Sequence, residues 1–418
     1  MSGNKLYEIA RQKYADLGKD TEEVLKILNS TAISINCWQG DDVAGFEKEN
    51  SALGGGGILT TGNFPGKPRN IDEFRQDAAK AFSLIPGTKK LSLQAMHGDY
   101  AGKAPGRDKI ELKYFLSWIE WAKAQNIGLD FNPTLFSDDY NDAGYTLAAI
   151  DEKIRKYWVD HVNNSRDICN AIGKELGWTC YNNIWAPDGS KDSTVNKLKH
   201  RIQLLKSLDE IFSKRYPEKN TQESLEPKLF GIGVESYTAG SLEFYLAYAV
   251  KNDLQITLDT GHLHPTELIS DKITAVLPFV KGIQLHITRG IRWDSDHVPI
   301  LTDELIAIMQ EIVRADALDK VFIGTDYFDA SINRMGAWVI GARSVLKALL
   351  IALLEPTDVI RKYEESGNYF ARLAMFESLK LKSVGDVWDH FCEMNNMPTD
   401  DQVIEEVLGY ERDVLLKR

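Results

Sequence analysis

Eight short runs rich in β-branched and apolar residues recur along this chain, each ending in polar or turn-forming residues. They are Ala32–Trp38, Lys90–Met96, Ile127–Pro133, Thr179–Trp185, Phe230–Ser236, Gln255–His262, Lys281–Ile287 and Val321–Phe328. Segments of helical period lie between them. In Lys113–Gln125, the residues Phe115, Trp118, Ile119 and Ala122 fall three and four positions apart, on one face of a helix. Asp151–Glu175, Ser193–Lys214, Asp303–Ala315 and Gly336–Leu354 read as further helices. Strands alternating with helices imply repeated βαβ units and a parallel sheet. Eight such units predict a (β/α)8 TIM barrel in the α/β class, with its chemistry at the carboxyl ends of the strands.

Two regions fall outside the repeat. The insertion from Gln39 to Lys67 holds four successive glycines, Gly54 to Gly57. A loop of that length reads as a lid or binding loop, or else as a surface insertion without fixed structure. From Pro356 onward the pattern is helical, and Trp388, Phe391 and Leu408 imply packing on the barrel or on a neighbouring subunit. The expected organisation is a barrel over residues 1–355, with an N-terminal helix and the lid-like insertion 39–67, then a C-terminal helical extension over 356–418.

The chain has 418 residues, 43% of them hydrophobic, which is ample material for such a core. Forty-nine basic residues against sixty-one acidic ones give a formal net charge of −12. That balance disfavours affinity built on neutralising phosphates and suits cation binding. Cys37, Cys169, Cys180 and Cys392 form no C-x-x-C pair and read as small buried hydrophobes. The first residues, MSGNKLYEIARQKYADLG, hold no apolar run, and no stretch reaches the roughly 18–20 apolar residues of a membrane span. The expectation is a cytoplasmic protein without a membrane or nucleic-acid partner.

The groups able to carry chemistry gather at the ends of the last four expected strands. Asp259 ends the sixth run and His262 follows three residues later; in isolation this pair also reads as a helix cap and a turn. His286 lies in the seventh run, and Asp294 and Asp296 follow as D-x-D, a pattern equally common in a solvated loop. Asp326 ends the eighth run and Glu235 the fifth, where acidic residues are often turn formers. Jointly the odds change, because neighbouring strands of a barrel face one mouth. Five carboxylates meeting there repel one another unless cations neutralise them. A carboxylate-dominated set with imidazole favours Mn2+, Mg2+ or Co2+ over a thiolate-type zinc site. Seven ligands exceed the needs of one six-coordinate ion, which implies two metal sites. Trp38, Trp185, Phe131 and Phe136 lie near strand ends and could wall a sugar pocket, although core packing accounts for each one singly. His97, just past the second run, could bond a hydroxyl or a carbonyl, or be structural.

Over essentially its whole length the chain resembles the L-rhamnose isomerases. The segments carrying the resemblance are CWQGDDVAGFE, TGNFPGK, LDFNP, NIWAPDGSKD, LFGIGVESYTAGS, LDTGHLHPTELISDKI, RWDSDHV and DYFDASINR, in that order. The resemblance implies a (β/α)8 barrel with extra terminal helices, a homotetramer, and interconversion of L-rhamnose and L-rhamnulose. It implies that His262, Asp294 and Asp296 hold a catalytic metal, most often Mn2+, with Co2+, Mg2+ or Zn2+ as alternatives. Glu235, Asp259, His286 and Asp326 would hold a second metal, Asp259 bridging both, and Asp294, Asp326 and His262 would form the catalytic set. The related xylose isomerases carry a lysine two residues after the glutamate matching Glu235. That position here is Tyr237, so no lysine is expected to polarise the carbonyl.

The expected chemistry is a metal-assisted hydride shift from C2 to C1 of the open-chain sugar. An enediol route through a carboxylate or histidine base is the alternative. Trp185, His97 and Trp38 are expected at the sugar, with Ile58 and Leu59 of the glycine-rich insertion meeting the C6 methyl of a deoxysugar. Two competing classes are a metal-dependent barrel nuclease, which the acidic balance disfavours, and a non-catalytic sugar binder, which leaves seven convergent ligands unexplained. Within the isomerases, L-mannose and L-lyxose share the reacting configuration and are further candidate substrates.

Overall fold

The computed structural model describes residues 2–47, 62–229 and 236–418. Ile58, Leu59, the run Gly54–Gly57 and Glu235 lie outside the described residues. Eight parallel strands close on themselves: β1 (Ile33–Asn36), β2 (Lys89–Gln94), β3 (Gly128–Asn132), β4 (Cys180–Ile184), β5 (Thr221–Leu225), β6 (Gln255–Asp259), β7 (Ile283–Ile287) and β8 (Val321–Thr325). Closure comes from β1 pairing with β8, where Ile33 faces Ile323 and Ser34 faces Gly324. The expected TIM barrel is present, and the strands after β5 fall where the runs placed them.

The fifth strand is the exception. It is Thr221–Leu225, a polar TQESL, while the expected run Phe230–Ser236 lies, but for Ser236, outside the described residues. Its polarity follows from its position. Glu223 is neutralised by Arg166, whose Nε lies 2.5 Å from Oε1. Gln222 accepts a hydrogen bond from Gln255, and Ser224 pairs with Thr257 at 2.6 Å. A strand whose side chains all find polar partners shows no apolar alternation. Beyond it, Tyr237–Thr238 pairs antiparallel with Gly189–Ser190 in a small ribbon outside the barrel.

Helices sheathe the barrel and bury the outward strand residues. Ile35, Leu93, Leu129, Ile256 and Leu285 are fully buried, each stabilising the sheath by about 1.5–3 kcal/mol. The helix Glu152–Leu176 begins where Asp151 accepts hydrogen bonds from the Lys153 and Ile154 amides, a strong start signal. Arg334–Leu354 is the one helix among the described residues long and apolar enough to cross a membrane, and 83% of that stretch is buried in the protein core. In the tail, Val387, Trp388 and Phe391 join the same core, and His390 stacks on Tyr7 at 3.7 Å. By contrast Leu408 is half exposed, and the helix Tyr369–Leu379 has no buried residue.

The two limbs of the insertion are tied at one side chain. Arg334 donates to both carboxylate oxygens of Asp42 on the outgoing limb, at 2.7 and 2.8 Å, and to the carbonyl of Phe64 on the returning limb at 2.6 Å. Gly62 passes so close to Ala330, with φ +112, that a Cβ would sit 2.4 Å from its carbonyl carbon. Only glycine fits there. Further along the outgoing limb, Glu47 takes two hydrogen bonds from Arg107, whose Nη1 also holds the carbonyls of Thr134 and Phe136.

Candidate metal centre

The carboxyl ends of β5 to β8 bring six side chains to one mouth. Asp259 closes β6, and register pairs it with His286 in β7. Glu226 and Asp326 each stand one residue beyond a strand, β5 and β8 respectively. The ligand-type atoms of Glu226, Asp259, His286 and Asp326 lie within 4.8 Å of one another, and so do those of Asp259, His262 and Asp294. Asp259 belongs to both groups.

The electrostatics are those of a site short of positive charge. Burial, with Asp326 and Asp294 close by, pushes Asp259 well above the usual carboxylate range. Glu226 goes the other way: burial opposes its charge, but His286 and His262 pull it down to about 2. Burial likewise opposes a charge on His286, yet Glu226 and Asp326 hold the ring protonated, with Nδ1 3.2 and 3.4 Å from them. Burial and then Lys228 depress His262, keeping it neutral. Its Nδ1 lies 3.2 Å from the Pro227 carbonyl and Nε2 lies 3.5 Å from Asp294. With Nδ1–H donated to that carbonyl, the Nε2 lone pair faces the carboxylates, the arrangement that prepares an imidazole for a metal.

Two buried oxygens, Asp259 Oδ2 and Asp294 Oδ1, have no hydrogen-bond partner among the described residues. Leaving such atoms unpaired costs about 1–3 kcal/mol each, and more when charged. Unpaired acceptors inside a cluster of oxygen and imidazole donors fit a divalent cation. Asp296 stands beside this set rather than inside either group. Burial and the charges of Asp294 and Asp326 raise its pKa well above the usual value.

Aromatic groups orient and wall the site. Trp38 is buried, and its Nε1 donates to Asp326 Oδ1 at 2.8 Å. Trp185 packs between Phe136, 5.6 Å away, and His262, 5.9 Å away. His97 differs from expectation: it is fully buried, with Nε2 3.0 Å from Asp41 Oδ2, so it lines no open surface.

Two groups were not foreseen from the sequence. One is Glu226, which occupies the place at the end of the fifth strand that was expected of Glu235. The other is Lys228, two residues later, whose Nζ sits 2.6 Å from Asp294 Oδ2 and 5.0 Å above the Trp185 ring. Burial works against its charge, but Asp294, Asp296 and Asp259 raise its pKa. The expectation that Tyr237 leaves the site without a lysine is therefore corrected. Tyr237 lies in the small ribbon, and the Glu-x-Lys spacing belongs to Glu226 and Lys228. The readable signal was an acidic residue directly after a strand, as Asp326 follows β8, with a lysine two positions on.

The family model described as L-rhamnose isomerase (RhaA) matches residues 1–418. The L-rhamnose isomerase of Listeria monocytogenes is 49% identical over 415 residues, covering 99% of this chain and 98% of that protein. That of Enterobacter sp. is 49% identical over 412 residues, with the same shares covered. Among solved structures, D-psicose 3-epimerase from Clostridium cellulolyticum H10 aligns over 77% of this chain and 96% of its own, at 13% identity and a TM-score of 0.45. With a full-length family match and two buried ligand groups at the mouth of a closed barrel, the chain belongs to the L-rhamnose isomerase family and is an aldose–ketose isomerase interconverting L-rhamnose and L-rhamnulose.

Proposed function

We propose that Glu226, Asp259, His286 and Asp326 hold one divalent cation and that Asp259, His262 and Asp294 hold a second, with Asp296 beside it. The observation that carries this reading is the sharing of Asp259 between two buried ligand groups, next to two unpaired carboxylate oxygens. Mn2+ is the favoured cation, with Co2+, Mg2+ or Zn2+ as alternatives, because carboxylates dominate the set. When bound, such a cation supplies Lewis-acid polarisation to neighbouring sugar oxygens.

The chain's own groups do the rest. Lys228 Nζ donates a hydrogen bond to the sugar carbonyl oxygen O1. Asp294 Oδ2 accepts the proton leaving O2, Lys228, 2.6 Å from that oxygen, gives one to O1 as the C1 aldehyde becomes an alcohol, and the proton on Asp294 then returns to Lys228, so the pair ends as it began. Hydride passes from C2 to C1, and the C2 alcohol becomes the ketone. Trp185 and Phe136 form an apolar wall that keeps solvent from the exchanging carbon. Trp38 fixes the rotamer of Asp326, and the Pro227 carbonyl fixes that of His262.

Isomerisation in D2O tests the route: the product is expected to carry almost no deuterium at C1, and substantial incorporation would favour the enediol alternative. A panel of aldoses including L-mannose and L-lyxose, run with Asp294→Asn alongside, measures how far the site extends beyond L-rhamnose. The net charge of −12 gives no support to a nuclease reading. Exposed Phe370 and Leu373 on the helix Tyr369–Leu379 support apolar contacts between copies, and the assembly proposed is a homotetramer, placed in the cytoplasm. Light scattering on the purified chain reads that assembly.

A further inference from the structure

The interior of this barrel is not packed as such interiors usually are. Barrels of eight strands are ordinarily filled by layers of bulky aliphatic side chains. Here a cavity of about 370 Å3 runs inside the sheet, lined by Ser34, Ser92, Asn132, Asn183, Gln284 and His286. Its lower rim is formed by Ser30, Thr31 and Asp319, at the amino ends of the strands. The space opens at that end, where the rim residues Ser30 and Asp319 are exposed; inside it Ser34 is partly exposed, while its neighbours Ile33 and Ile35 are fully buried. Small side chains create the room. Ser34, Ser92 and Gly324 stand where a packed barrel carries Val, Ile or Leu.

The upper end of the cavity meets the underside of the ligand cluster. Asn183 Nδ2 donates to Glu226 Oε2 at 2.5 Å, and His286 Nδ1 lies 3.2 Å from Glu226 Oε1. Asn183 Oδ1 in turn accepts from Thr257 at 2.7 Å and Ser224 at 3.2 Å. A polar cavity of this size is hydrated, since a single water needs only about 10–15 Å3 of such space. Apolar cavities stay dry, but this one presents hydroxyls, amides, an imidazole and the Lys90–Asp130 ion pair along its length, with Ser34 Oγ donating to Asp130 at 2.6 Å.

We propose that this shaft is a second solvent entrance, bringing water and exchangeable protons from the amino end of the barrel to the underside of Glu226 and His286. The sugar enters from the opposite, carboxyl end. Water at the base of the site therefore exchanges without the sugar leaving. Within the shaft the Tyr181 and Phe322 rings meet at a 35° tilt, centroids 4.0 Å apart, and narrow the passage to small molecules.

Substituted cysteines test this in the full-length chain. All four native cysteines are buried, so they give a low background. Ser34→Cys and Ser92→Cys place near-isosteric thiols at the lower and middle levels of the shaft. Methyl methanethiosulfonate is expected to label Ser34→Cys about 100-fold faster than the native cysteines, because thiol reactivity follows exposure. Ser92→Cys is expected to label next, and a bulky benzophenone maleimide to label neither. Saturating L-rhamnose is expected to leave both rates unchanged within about twofold, while protecting Trp185→Cys at the carboxyl mouth. Labelling of Ser34→Cys no faster than the native cysteines would overturn the entrance. Labelling of Ser92→Cys ahead of Ser34→Cys, or its protection by sugar, would show that water arrives only from the carboxyl end. If sugar fails to protect Trp185→Cys, the placement of the sugar is at fault, and the order of the two shaft rates still decides the entrance. Should Ser34→Cys fail to fold, Thr31→Cys at the rim replaces it, with the same outcomes.

Discussion

Lys90 and Asp130 lie in the lower half of the barrel, and Asp259 and Asp294 lie at its carboxyl mouth, all within one closed sheet. The lower pair is complete. Asp130 accepts from Lys90, from Ser34 Oγ at 2.6 Å and from the Tyr181 amide at 2.7 Å, while Lys90 also donates to the Thr179 carbonyl at 2.7 Å. The upper set is incomplete, with carboxylates crowded together and two oxygens lacking a partner. The difference teaches where each charge does its work. A balanced buried pair specifies the fold, whereas an unbalanced buried cluster is stable only when something outside the chain balances it.

The contrast predicts opposite phenotypes. Asp259→Asn is expected to lower kcat/KM by about 1,000-fold or more, because both ligand groups lose a shared member. The thermal midpoint of the metal-stripped protein should stay level or rise, since repulsion has been removed. A large fall in that midpoint would mean the cluster is structural after all. Exhaustive chelation of the unmodified protein should abolish isomerisation, and added Mn2+ should restore it.

Lys90→Met should do the reverse. Asp130 then keeps Ser34, the Tyr181 amide and water of the shaft as partners, so the expected cost is about 1–3 kcal/mol in denaturant unfolding, with kcat nearly unchanged in the fraction that remains folded. If kcat falls with stability, the two ends of the barrel are not separable.

A neutral buried group sharpens the comparison. Burial and the adjacent Arg107 hold His161 down to about 4, below its ordinary value of about 6.5. The unfolded chain therefore takes up the proton first, and stability falls as pH drops from about 6.5 to about 4, by about 3 kcal/mol. His161→Gln should flatten that part of the stability profile, read by urea unfolding at several pH values. The smallest expected effect is that of Trp38→Phe, which removes the donor to Asp326. It should weaken Mn2+ binding by about 10-fold to 100-fold in calorimetry, with little change in unfolding.

The sequence made the barrel legible because most of its strands are apolar on their outward face and end in a polar residue. Asp259, His262, His286, Asp294 and Asp326 are readable for the same reason: Asp259 and His286 lie in obvious strands, Asp326 directly after one, and His262 and Asp294 in the loops that follow. Glu226 was not, since TQESL buries polar groups on both sides, satisfied by Arg166, Gln255 and Thr257. That misplacement carried Lys228 with it. The burial of His97 could not be read either, because it depends on Asp41, which is distant in sequence and belongs to the insertion.

The Arg334 tether bears on how such a chain can change over evolutionary time. With Asp42 and the Phe64 carbonyl held by one guanidinium, the segment between them begins and ends at fixed points on the barrel. Within that segment Glu47, bonded twice by Arg107, and Gly62, pressed against Ala330, admit little drift of their own. A substitution at Arg334 is accordingly expected to persist only where Asp42 and the Phe64 carbonyl both find another donor, because one guanidinium serves the two limbs at once.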